Sequence, residues 1–187
     1  MKKSSIKTLG IQISKIKKEE YGDYLIAVGA RDYNDSIVEL LKLLVTKMKW
    51  NGLYVSLNKQ YKDILNMLQK ERINQSRILF IDSISISPPK EANIENCVYN
   101  KSPQSLTSLS LTIAAAVTNA DFDFIIFDSI STLLVYNNQK TVERFTQYII
   151  SKFKAFKLTG ILLMVEEQDS EKLLPILQQF CTKYIEL

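Results

Sequence analysis

Residues 24–36 read YLIAVGARDYNDS: an apolar run at Tyr24–Val28, then a polar loop from Gly29 to Ser36. A helical pattern, IVELLKLLVTKM, begins at Ile37. The spacing fits the phosphate-binding loop G-x-x-x-x-G-K-[ST], in which backbone amides and a lysine cradle nucleotide phosphates. Gly29 opens the loop and Ser36 keeps the hydroxyl, while Asn34 stands at the second glycine and Asp35 at the lysine. Asparagine tolerates the left-handed backbone better than most residues, so Asn34 is a mild change. Asp35 is not mild. Unit charges about 4 Å apart interact by about 4 kcal/mol at an effective dielectric near 20, and here the sign is reversed. Ser36-Ile-Val-Glu39 also reads as a capping box, with Asp35 near the positive end of the helix dipole. One reading is that the protein's own carboxylate and cap occupy the donors that would hold phosphate. The other is an ordinary strand-to-helix turn rich in capping residues.

Outward from this loop, short apolar strands alternate with longer amphipathic helices. Strands are expected at Tyr24–Val28, Leu53–Leu57, Ile78–Asp82, Phe124–Asp128, Ile161–Val165 and Tyr184–Leu187. Helices are expected at Asp35–Lys49, Lys59–Arg72, Pro103–Asn119, Gln139–Lys157 and Ser170–Phe180, with Ser102 as the cap before Pro103. The strands are continuous Val/Ile/Leu/Phe runs, the pattern of a parallel sheet covered on both faces. The prediction is an α/β three-layer sandwich around a mostly parallel, doubly wound sheet, with its ligand site at the carboxyl ends of the strands. Two strand ends repeat, Ile81-Asp82-Ser83-Ile84-Ser85 and Phe127-Asp128-Ser129-Ile130-Ser131. An aspartate so placed can hold magnesium in a nucleotide-hydrolysing site, Asp128 being the better candidate, or can cap the following turn.

A chain of 187 residues with 46% hydrophobic and 24% charged side chains is expected to fold around one full core. The organisation expected is a basic segment over 1–19 and a single domain over 20–187, with an exposed loop at 87–102 carrying two adjacent prolines. There is no histidine, which excludes histidine acid–base catalysis, Ser–His–Asp triads and histidine metal sites. Cys97 and Cys181 match no metal spacing. No apolar run approaches a membrane span, and a reduced, cytoplasmic setting with no membrane partner is expected. Lys2, Lys3, Lys7, Lys15, Lys17 and Lys18 precede the first acid, Glu19. They read either as an arm for nucleic acid or an acidic partner, or as a solvated terminus around a short strand near Leu9–Ile16. No aromatics interleave with them to stack on bases.

GARDYNDS, YVSL (54–57), FIDSIS (80–85), IIFDSISTLL (125–134) and QFCTKYIEL (179–187) occur in an order that resembles the RecA superfamily, specifically its KaiC-like branch and its archaeal KaiC-related proteins. The resemblance covers about residues 20–187. It implies a P-loop fold in which Gly29 and Ser36 belong to the phosphate loop and Asp128 to the magnesium site. It also implies a departure, because KaiC-like ATPases place paired glutamates after the second strand and this chain has Leu57-Asn58-Lys59. Losing the phosphate lysine and the water-activating acid implies a pseudo-ATPase with no cofactor, acting in regulation or signal transduction through a protein partner or self-association. The alternatives are a rewired site and a recombinase-paralogue-like nucleic-acid binder. Rewiring would bring Arg31 or Lys59 to Mg-ATP or Mg-ADP and draw a carboxylate from Glu166 or Glu167, or would turn Asp35, Asp82 and Asp128 into an acidic pocket for a partner's cation.

Overall fold

The computed structural model of the chain describes residues 2–85, 96–100, 104–166 and 172–187. Seven strands form one sheet: β1 (Asp23–Gly29), β2 (Gly52–Ser56), β3 (Ile78–Asp82), β4 (Cys97–Tyr99), β5 (Phe124–Asp128), β6 (Thr159–Glu166) and β7 (Lys183–Glu186). Their order is β4-β3-β2-β5-β6-β1-β7, and every pairing is parallel. The helices are α1 (Lys2–Ile13), α2 (Tyr33–Leu41), α3 (Tyr61–Lys70), α4 (Leu106–Asn119), α5 (Gln139–Ala155) and α6 (Leu174–Phe180).

The winding explains the layers. From β1 the chain jumps outward to β2, β3 and β4, then returns to insert β5 and β6 between β2 and β1. Parallel crossovers are right-handed, so outward and returning connections fall on opposite faces. Accordingly α1, α2 and α3 pack on one face, against Ile26, Tyr54, Phe80 and Ile126. Helices α4, α5 and α6 pack on the other, against Leu25, Val55, Ile125 and Phe127. This is the α/β three-layer sandwich read from the pattern.

Three segments differ from the sequence reading. Where a short strand was expected near Leu9–Ile16 there is the helix α1, whose Leu9 and Ile13, with Ile16 just beyond it, are buried in the α2 side of the core. Burying residues three to four apart selects a helix, not a strand. Second, α2 starts at Tyr33 and continues beyond Leu41 as a wider π turn over Lys42–Lys47, closed by Trp50 N–H donating to the Leu44 carbonyl. Third, the expected loop at 87–102 contains β4, a short edge strand beside β3. The expected cap at Ser102-Pro103 lies outside the described residues, and the described α4 is capped instead by Ser105, whose hydroxyl accepts from Ser108 N–H.

Candidate functional site

The loop is shorter than its spacing suggests. Between β1 and α2 lie only Ala30, Arg31 and Asp32, and Asp32 N–H donates to the Gly29 carbonyl at 3.0 Å. A phosphate-cradling loop needs its amides free and convergent. Here Ser36 is already helical: its N–H donates to the Asp32 carbonyl at 2.9 Å, and its hydroxyl to the same oxygen at 2.8 Å. Ser36 is fully buried. The Ser36–Glu39 capping box therefore does not form, because Ser36 lies a full turn inside the helix it was expected to cap. Asp32 holds the cap position without a side-chain cap bond, and its Oδ1 is buried without a hydrogen-bond partner among the described residues. The sequence reading passed over Asp32, although an aspartate directly before the first helical residue is a helix-start signal. Asn34 and Asp35 are exposed on the first turn of α2.

At the carboxyl ends of the central strands, Ser56 of β2 lies in register with Asp82 of β3 on one side and Asp128 of β5 on the other. All three are buried. The two aspartates, alike in sequence, differ in environment. Asp82 accepts from Tyr61 N–H, Ile84 N–H, Ser85 N–H and the Ser85 hydroxyl at 2.7–2.9 Å, so it organises the turns after β2 and β3. Asp128 Oδ2 accepts from the Tyr54 hydroxyl, while its Oδ1 has no partner among the described residues. Burial pushes the Asp128 carboxyl up to about 8, so it keeps its proton near neutrality. Of the three aspartates read as an acidic pocket, Asp35 is exposed on α2, whereas Asp82 and Asp128 are buried at the ends of β3 and β5.

Of the cations considered for rewiring, Lys59 is brought to the loop. Its ammonium lies 4.0 Å from the centroid of the Tyr33 ring, at the first residue of α2. Asn58 Nδ2 donates to the Tyr33 hydroxyl at 3.3 Å, tying the end of β2 to the start of α2. Burial pulls the Lys59 amine down to about 8, opposed by nearby Asp63. Arg31 is exposed. Glu166 is exposed opposite Gly29 in the register of β6 and β1, and Glu167 lies outside the described residues. At the N-terminus, Lys18 pairs with Asp123 at 2.7 Å and Lys17 with Glu20 at 3.9 Å, both on the surface. Lys15 is exposed as well.

A magnesium nucleotide does not fit these residues as they stand. The lysine position carries Asp35, and the Ser36 amide and hydroxyl are both committed to Asp32. Burial favours the protonated Asp128 carboxyl, and its Oδ2 accepts from the Tyr54 hydroxyl. The unpartnered Oδ1 atoms of Asp128 and Asp32 are features that suit a cation, but among the described residues no His/Cys/Asp/Glu cluster could hold a metal.

No protein-family model and no curated protein matches the chain. Among solved structures it is similar to a KaiC-like protein from the hyperthermophilic archaeon Pyrococcus horikoshii. The TM-score is 0.63 at 13% identity, over 90% of this chain and 71% of that one. At this identity the likeness carries the fold alone: a parallel α/β sandwich like that of the KaiC-like protein. No described helix is long and apolar enough to cross a membrane.

Proposed function

We propose that this RecA/KaiC-like domain is a non-hydrolysing pseudo-ATPase that acts as a regulatory or scaffolding interaction module, through self-association or a protein partner. The observation that carries the reading is the closed turn at Gly29–Asp32, with Ser36 drawn into the helix. Phosphate binding would have to unwind that turn and overcome the Asp35 charge, and a magnesium ion would have to displace the proton that burial favours on Asp128. Hydrolysis also lacks a carboxylate beside the loop after β2, where Asn58 and Lys59 instead brace Tyr33. Steady-state phosphate release from Mg-ATP tests this. We expect a rate indistinguishable from a protein-free control; turnover that scales with protein and vanishes in Lys59→Met would overturn it.

A second reading, nucleotide binding without turnover through a rewired site, is favoured by one observation. Lys59 stands over Tyr33 in no ion pair among the described residues, close enough to the loop to meet a phosphate if the turn opened.

A further inference from the structure

On the opposite face from the loop's helix, a cavity of about 120 Å³ opens between α4 and α5, near the amino ends of β5 and β6. Its origin is legible in the side chains. Ser110 and Ala114 are one turn apart on α4 and too small to reach across, so Ile125 of β5 and Phe153 of α5 are left lining an unfilled space. The lining is mostly apolar, with polar groups at Ser110, Tyr148 and Lys152. The Ser110 hydroxyl donates to the Leu106 carbonyl at 2.8 Å, which leaves Lys152 as the cation at the site. Lys152 makes no ion pair among the described residues; its ammonium lies 5.2 Å from the centroid of the half-exposed Tyr148 ring, which also lines the cavity.

We propose that this cavity binds a small monocarboxylate whose apolar body is a single ring or a branched chain of similar size. An enclosed apolar cavity of about 150 Å³ accepts benzene, so this open pocket of about 120 Å³ has room for about one six-membered ring. The body fills the space over Ile125 and Phe153, and the carboxylate meets Lys152 at the mouth. An ammonium beside apolar walls favours an anionic head over a neutral or cationic one. The site is independent of the phosphate loop and stands whether or not nucleotide binds there.

The test is a two-dimensional NMR titration of the intact chain with benzoate, benzylamine and toluene as probes. We expect saturable shifts at Ala114, Ile125 and Phe153 with benzoate, and binding of benzylamine at least about tenfold weaker. Lys152→Met should weaken benzoate about five- to tenfold and leave toluene unchanged. Ala114→Leu, which fills the space, should abolish both. Millimolar benzoate producing no saturable shift at these residues overturns the proposal, as does equal affinity for benzoate and benzylamine. Both comparisons use the native chain, so neither depends on a variant folding.

Discussion

Asp128→Asn is the substitution whose consequences follow most directly from the buried edge of the sheet. The native carboxyl keeps its proton up to about pH 8 because burial disfavours the anion. In the unfolded chain the same group ionises at about 3.9. Between those values the unfolded state binds fewer protons than the native state, so stability falls as pH rises. The slope reaches at most about 1.4 kcal/mol per pH unit, or about 2–3 kcal/mol between pH 5 and pH 7. Asparagine carries no titratable group and keeps an oxygen and a nitrogen to face Tyr54, so its stability should lack this component. The difference in slope is the informative quantity, because asparagine exchanges one unpartnered buried atom for another. Urea unfolding of both proteins at about pH 5, 6 and 7 reads it. The native-minus-variant difference should fall steadily with pH. Parallel curves would show that Asp128 is ionised in the fold, and a cation ligand at that position would regain its plausibility.

Other outcomes follow from the packing. Gly160 lies under Phe153, where an added Cβ would sit 1.9 Å from the ring, so Gly160→Ala should cost about 1–3 kcal/mol in chemical unfolding. Phe153→Leu should relieve part of that cost when combined with it. Leu9 is fully buried against the α2 side, so Leu9→Ala should lose about 2–4 kcal/mol, whereas a solvated arm would lose almost nothing. Lys59 has its amine pulled down to about 8, so above that pH the unfolded chain holds the extra proton and stability gains a rising component with pH. Lys59→Met should remove that rise in thermal unfolding between about pH 8 and pH 10.

The central strands were legible because a sheet covered on both faces demands near-continuous apolar runs, whereas β7 at the edge buries only Ile185 and shows that pattern weakly. β4 was not legible: Cys97–Tyr99 is an edge strand with Val98 exposed, too short and too little buried to stand out from a polar stretch. The helix α1 was misread because its lysines dominate, although Leu9, Ile13 and Ile16 repeat at helical spacing. In the candidate site, Asp35 at the lysine position of the spacing was plain in the sequence, but the closed turn was not. Whether Ser36 caps a helix or lies within it depends on where the helix begins, a boundary that Asp32 moves forward. Asp82 and Asp128 end nearly identical strands, and only tertiary neighbours separate them: Ser85 and the Tyr61 amide for one, Tyr54 for the other. The meeting of Lys59 with Tyr33 is likewise a product of the sheet order, which no local pattern encodes.

The central claim is that the phosphate loop is closed and charge-reversed, and calorimetric titration with Mg-ATP and Mg-ADP tests it most directly. The native chain and a variant carrying Asn34→Gly and Asp35→Lys should be compared side by side. We expect no heat of binding from the native chain and recovered binding in the variant, whose glycine loosens the first turn of α2 and whose lysine restores the attraction. Micromolar binding by the native chain would contradict the claim.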